Sequence, residues 1–571
     1  MMAQYNKISA RKDSCTPVLA CFSDGCIMIV QKGGAVMDKS RRGMIKLSGL
    51  VAVALAVGGC GEEDTPAAGD ALSVALFPSG DMVAYDADRV VLKFSRPVDP
   101  LTLAGNITLA DRDGTPEGLY DVMLDAEDVS SQTVLIVLNG YGFTPSWRYR
   151  VTVTAAVKST TGMALAAAQE IAFVTTSRSP FGYVGADAQR SKIVVISDLH
   201  LNRQRAADEG YGLFSENGAL LTQFLENVRN SAEIKELIVL GDLMDMWVVP
   251  MAYETYDAVT PDAAAYFQSV ADAAVNKGIT DMLNAIADEG AVRFTYVPGN
   301  HDMLLTEAIF QTLFPNGVWQ GGVQGTGVYY PEPGIACEHG HNYDVFNAPD
   351  MMTTPGSLLP PGYFITRIYA TKNLMTAALQ SARVQRTAQE VEYVAAFDVA
   401  VVAIDVPNLD LDTPQIVTGV DGYTQTYSVN SGRDIYTPTI GPDWQQRQVN
   451  NGVYRPDLFE TGLLNASGLF WFGTLEESAT TQYFLPERAK IAVFGHTHRA
   501  MIRKNVWTAE RIYANAGTWI DDKYVAADAL GRTCVVINSS AASGSEIDAV
   551  TVYQCQQDGS LKNVGEAYIT V

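Results

Sequence analysis

The sequence predicts an α/β domain preceded by a smaller all-β sandwich, and two changes of texture predict it. From Ala71 to Thr176, short β-rich runs alternate with turn residues. After Lys192, short apolar and often β-branched runs alternate with helical stretches such as "GALLTQFLENVRN" and "DAAVNKGITDMLNAIADEG". A length of 571 residues also calls for two or more domains.

Residues 1–36 read as neither a signal nor a domain, and Met37 is the expected true start. From Met37 the chain shows a basic segment (Lys39, Arg41, Arg42, Lys46), an apolar run Leu47–Val57, then small residues and Cys60. The run is too short to span a membrane and right for a signal peptide. "VGGC" resembles a bacterial lipobox, which implies a lipid on Cys60. "SRRGMIK" resembles a twin-arginine export motif, and an ordinary secretion signal stays open beside it. The chain is therefore expected to be exported and lipid-anchored in the cell envelope, facing the periplasm or the exterior. Residues 1–60 are the extension and signal, and 61–70 a polar tether.

The runs "VVLKFSRPV", "TVLIVLNG", "YRVTVTAAV" and "EIAFVTT" justify the β-sandwich over 71–177. This stretch resembles the Ig-like domains of bacterial surface proteins. It holds no histidine, and is expected to be a spacer.

The formal net charge is −24, and the basic first 59 residues make the remainder more negative still. Such a surface repels nucleic acid, so no nucleic-acid partner is expected. An anionic substrate then needs a local positive centre. Of seven cysteines, Cys337, Cys534 and Cys555 follow Cys60. Cys337 is expected to point into the core. For Cys534 and Cys555, a disulfide and two free thiols are both open.

The six histidines locate the chemistry in the α/β domain, 190–571. "IVVI" leads into Asp198 and His200, "LIVL" into Asp242 and Asp245, and "FTYV" into Asn300, His301 and Asp302. "IACE" leads into His339 and His341, and "IAVF" into His496 and His498. Loops after strand C-termini form the rim where α/β folds bind ligands. Imidazole and carboxylate donors suit Zn, Mn or Fe. The donors are too many for one tetrahedral ion and fit two ions sharing a bridge, which would clamp both oxygens of a phosphoryl transfer.

The order D-x-H, G-D-x-x-D, G-N-H-D, H-G-H, G-H-T-H resembles that of the calcineurin-like metallophosphoesterases. The resemblance covers roughly residues 190–345 and 485–525. It implies a β-sandwich flanked by helices, with a dinuclear centre between the sheets. It implies that Asp198, His200 and His498 hold one divalent ion, that Asn300, His339 and His496 hold the other, and that Asp242 bridges. Water activated by the ions would be the nucleophile. His301 would serve as general acid or charge stabiliser, oriented by Asp302 or Asp245. Asp245 stands where purple acid phosphatases need a tyrosine. "GDLMDMW" and "EHGHNYD" look more like the branch holding the UDP-2,3-diacylglucosamine hydrolases. The implication taken is the chemistry and not that substrate, because a long insertion and an exported location depart from those enzymes.

The insertion spans 345–485 and is expected to be mostly helical, with Ile365, Ile368, Met375, Leu379 and Ala382 at helical spacing. Connections of this length are usually functional or lid-like. Arg367, Lys372, Arg383 and Arg386 are candidates to grip substrate phosphate, or else a solvated helix face. His341 is a candidate substrate contact, a supporting residue behind the ligands, or a solvated loop histidine. Residues 405–470 give no assignable pattern. Three functions are weighed: a metal-dependent phosphoric ester hydrolase, acting on a mono- or diester; a non-catalytic envelope binding or adhesion lipoprotein; and a nuclease of the same fold, which the strongly negative charge and the lack of a basic, aromatic-lined groove disfavour.

Overall fold

The computed structural model describes residues 71–571 apart from 78–79, 112–119, 140–141, 183–188, 377–392, 468–473 and 506–508, together with two strands near the N-terminus. Those strands, Cys15–Phe22 and Gly25–Lys32, pair antiparallel. They lie where the sequence suggested no domain; two apolar runs separated by the letters Ser-Asp-Gly are a hairpin signal. The signal segment, Cys60, the tether 61–70, Arg383 and Arg386 lie outside the described residues.

From Ala71 the chain forms a second compact unit. It opens with two four-stranded sheets. One joins Val74–Leu76, Arg89–Phe94, Thr133–Leu138 and Tyr120–Leu124; the other joins Met82–Val83, Gln169–Thr175, Arg148–Val153 and Ile107–Asp111. Alternate residues turn inward: Val90, Leu92 and Phe94 meet Val134 and Ile136 in a common core with Tyr149, Val151 and Phe173. The Ig-like domain is docked rather than free. Glu566, on the last strand, accepts from Ser177 N (2.9 Å) and Oγ (2.7 Å), and Val174 packs with Ile547, Ala549 and Tyr568.

The larger domain is a sandwich of two sheets. The seven-stranded sheet runs Val318–Trp319, Arg293–Val297, Ile234–Leu240, Lys192–Ile196, Thr533–Asn538, Ile547–Cys555, Leu561–Thr570. Its first four strands are mutually parallel and the last three antiparallel. The five-stranded sheet runs Val328–Glu332, Ile335–Glu338, Ile491–Phe494, Arg511–Asn515, Met501–Asn505.

Strand alternation decides what fills each face. Ile193, Val195, Ile238 and Leu240 point between the sheets and meet Ile335, Cys337, Ile491 and Val493. Their neighbours Val194, Ile196, Leu237 and Val239 point outward, onto the helices Gly218–Asn230 and Lys277–Glu289. Strands buried on both faces must read as unbroken apolar runs, as these do. The helix Lys277–Glu289 ends at Gly290, whose φ of 65° closes it in the left-handed region. Cys337, Cys534 and Cys555 are all buried free thiols, which decides the open alternative against a disulfide.

The insertion is mostly helical: Pro361–Thr376, Tyr393–Ile404, Val429–Asp434, Trp444–Asn450, Phe459–Ser467 and Thr474–Ala479, with a small hairpin of Ile416–Val417 and Thr426–Tyr427. It is packed rather than lid-like. Phe346, Tyr363, Phe364, Ile368, Phe397 and Trp444 share one core with Val194 and Ile196. The buried face of Pro361–Thr376 holds Tyr363, Phe364, Arg367 and Ile368, whereas Met375, expected on that face, is 45% exposed.

Candidate metal centre

Three of the five motif loops leave their strands through left-handed residues other than glycine. Asp198, His200, Asp242, His496 and His498 all have φ between 51° and 68°. The left-handed region is unfavourable for residues with a Cβ, costing roughly 1–3 kcal/mol each, and such strain gathers at functional sites. Glycines let the loops close on one another. A Cβ on Gly495 would overlap Ser197 Oγ and Asp198 Oδ2, and one on Gly299 would overlap the backbone and carboxylate of Asp242. Gly495 and Gly299 are therefore required by the carboxylates of other loops.

The loops bring seven donors together. His498 Nε2 lies 3.1 Å from Asp198 Oδ1, and His200 Nε2 lies 3.9 Å from the same oxygen. Asp242 Oδ2 stands between the two halves, 3.6 Å from His200 Nε2 and 3.3 Å from His339 Nε2. His339 Nε2 is 3.1 Å from Asn300 Oδ1. The His496 and His339 rings are 5.2 Å apart, edge to face.

Outer contacts hold these groups. His200 Nδ1 is 2.7 Å from Asp245 Oδ2, and His339 Nδ1 donates to Leu240 O at 2.8 Å. Asp198 Oδ2 accepts from Ser197 Oγ and from His496 N (3.0 Å), and Asp242 Oδ1 accepts from His301 N at 2.9 Å.

The residues fit divalent cations. Asp198 Oδ1 is fully buried against imidazole nitrogens, His498 Nε2 at 3.1 Å and His200 Nε2 at 3.9 Å, an arrangement that is costly for a carboxylate oxygen unless positive charge lies beside it. Burial pushes the Asp198 carboxyl up, but the His339 and His498 imidazoles outweigh it and hold it near 2. Asp242 is held well below the ordinary range in the same way, chiefly by His339 and His301. Conversely, Asp242 and Asp198 overcome burial to lift His339 to about 10. The pocket is built around buried carboxylates kept ionised by positive charge, with the imidazole nitrogens of three loops converging on them.

Residues 191–362 match the model of the calcineurin-like phosphoesterases, and residues 72–175 that of a bacterial Ig-like domain. The chain carries a calcineurin-like phosphoesterase domain. That family implies metal-dependent hydrolysis of phosphoesters, and the Ig-like domain suggests a surface or extracellular location. No curated protein matches the chain. Among solved structures, a conserved protein of Streptococcus pneumoniae TIGR4 described as a predicted phosphoesterase is 11% identical; the match covers 67% of this chain and 98% of that one, with a TM-score of 0.23. CopC from Methylosinus trichosporium OB3b is 18% identical over 19% of this chain and 97% of its own, with a TM-score of 0.15. Domains 1–6 of surface layer protein SbsC are 17% identical over 21% of this chain, which spans 17% of that structure, with a TM-score of 0.16.

The phosphoesterase motif His301 stands beside the donors. Its Nδ1 lies 3.0 Å from Asp245 Oδ2, and its ring rests on Trp247 at 4.7 Å. Burial lowers its pKa, but Asp245 and Asp242 outweigh that and raise it to about 9. Asp245 thus touches both His200 and His301. Asp302 does not orient His301: its carboxylate accepts from Gly299 N (2.8 Å), Leu243 N (2.8 Å) and Met244 N (3.3 Å), tying two phosphoesterase loops together.

Of the three candidate substrate contacts, Arg367 and Lys372 are engaged with the backbone, and His341 lies against the donors, its ring 5.4 Å from that of His339 and 6.4 Å from that of His496. Arg367 is 0% exposed, and its guanidinium donates to the carbonyls of Val249, Pro250 and Tyr253 and to Tyr363 Oη. It clamps the chain just after Asp245 and cannot meet a phosphate. Lys372 Nζ donates to Asp405 O at 2.7 Å. His341 is buried, not solvated, and its Nε2 donates to Gly325 O at 2.8 Å. Sequence reasoning missed Asp344, whose Oδ2 lies 3.2 Å from His496 Nε2. Its signal was the last letter of "HGHNYD".

Proposed function

We propose that the chain hydrolyses a phosphoester at a centre of two divalent ions, Mn, Fe or Zn, in an exported enzyme anchored through a lipid on Cys60. The observation that carries this reading is the buried Asp198 Oδ1 facing His498 and His200, with Asp242 between them and His339. When bound, such ions lower the pKa of water and offset charge on the transferring phosphoryl group.

The chain's residues have separate tasks. Asp198, His200 and His498 hold one ion; Asn300, His339 and His496 hold the other, and Asp242 is shared. Asp245 keeps His200 and His301 in place through one oxygen. His301, raised toward the protonated form, donates its proton to the departing ester oxygen as the P–O bond breaks and water adds to phosphorus. Asp302 keeps the Asp242 and Asn300 loops in register. The acidic chain makes the ions the attraction for an anionic substrate. Export and anchoring rest on the basic and apolar segment before Cys60.

The test is hydrolysis of bis-p-nitrophenyl phosphate and p-nitrophenyl phosphate by chelator-treated protein given back Mn²⁺, with Asp242→Asn in parallel. Turnover that needs metal and disappears in the variant supports the proposal. A metal-loaded native protein inactive on both esters, and equally so on a panel of natural phosphoesters, would sink it and favour the binding lipoprotein. Globomycin-sensitive incorporation of labelled palmitate, lost in Cys60→Ala, tests the anchor.

A further inference from the structure

Asp344 is buried at the start of the insertion, directly after the short 3₁₀ turn His341–Tyr343. Its Oδ1 accepts from Phe346 N at 2.8 Å. Its Oδ2 accepts from Asn347 Nδ2 at 2.7 Å and faces His496 Nε2 at 3.2 Å. Asn347 Oδ1 in turn faces Asn300 Nδ2 at 3.4 Å. One carboxylate thus lies at the root of two candidate ligands from different sheets.

An ionised carboxylate can only accept. At His496 it demands a proton on Nε2, which leaves the lone pair on Nδ1. At Asn347 it demands the NH₂ group, so the Asn347 carbonyl turns to Asn300 and takes that residue's NH₂. Asn300 Oδ1 is then left facing the site, where it lies 3.1 Å from His339 Nε2. A cation binds lone pairs and not N–H groups. Either amide flipped, or the other imidazole tautomer, would present a donor to the ion.

The other histidines follow the same logic through different acceptors. Asp245 takes His200 Nδ1 and Leu240 O takes His339 Nδ1, leaving Nε2 inward in both. His496 is held by the opposite nitrogen. Its ligand atom is therefore Nδ1.

We infer that Asp344 is a positioning residue that sets the polarity of the second ion's site, fixing the His496 tautomer directly and the Asn300 amide through Asn347. This rests on the two-ion reading. Outer partners of metal-bound imidazoles are worth about 10–100-fold in metal affinity.

The test uses the full chain and Asp344→Asn, which keeps size and an acceptor for Phe346 N. Calorimetric titration of Mn²⁺ into chelator-treated protein should show two equivalents in the native chain. In the variant the second should be weakened about 10-fold or more while the first is unchanged. Asn347→Ala, which leaves the Asp344–His496 contact in place, should weaken the second equivalent less. With only six histidines, ¹⁵N spectra of histidine-labelled, metal-free protein can read the His496 tautomer, assigned with His496→Gln. The native spectrum should show a proton on Nε2, and Asp344→Asn should move it. A native proton on Nδ1, or variants that titrate like the native chain, overturns the inference alone. A native chain that takes up no Mn²⁺ overturns the two-ion reading with it.

Discussion

His200 and His498 face each other Nε2 to Nε2 at 3.0 Å across loops 298 residues apart. His200 commits its Nδ1 to Asp245, so its inward nitrogen carries a lone pair, and a second lone pair opposite is repulsive unless a cation lies between them or one ring is protonated. Bound metal should therefore stabilise the fold. We expect chelation to lower the thermal midpoint and added Mn²⁺ to restore it. A ligand at a thousand times its Kd is worth about 4 kcal/mol. Scanning calorimetry with and without chelator measures the shift.

His301→Asn should retain both ions and lose roughly 10²–10⁴ in kcat, the range for a general acid. The loss should be large for an alkyl ester and small for a p-nitrophenyl ester, whose leaving group needs no proton. Steady-state kinetics on both, beside metal analysis, checks this. An equal loss on the two esters would assign His301 to charge stabilisation instead.

Gly299→Ala should remove metal binding, because the added Cβ overlaps Asp242 and neither loop has room to give. The expected loss of stability is about 3 kcal/mol, in the range of overpacking. Urea unfolding and metal analysis of the purified variant read the two effects.

Arg367→Met should leave KM unchanged and cost about 3 kcal/mol, since several buried carbonyls lose their donor at once. Urea unfolding beside kinetics separates the two. A raised KM at unchanged stability would restore Arg367 to the substrate.

What was legible in the sequence follows from physics that acts locally. "LIVL" and "IAVF" are buried on both faces, so they read as strands, and the Asp and His that follow them stand out against the apolar run. The helix Gly218–Asn230 matches the run read as helical, because its apolar face repeats at helical spacing. Arg367 misled because its partners, residues 249–253, are far away in sequence; a charge on a helix looks solvated until the loop it clamps is known. Asp344 was passed over although it closes "HGHNYD", because its contact with His496 depends on the 3₁₀ turn that returns it to the site, which the motif letters do not announce. Residues 405–470 resisted because their helices are short, and one of them, Val429–Asp434, begins where Ser428 and Ser431 cap each other rather than on an apolar repeat.

The most direct measurement of the central claim is anomalous scattering from crystals of the full chain grown with Mn²⁺. The account predicts two peaks about 3.5–4 Å apart on either side of the Asp242 carboxylate. One lies against Asp198, His200 and His498, and the other against Asn300, His339 and His496 Nδ1. A single peak, or none between these loops at saturating Mn²⁺, would contradict it.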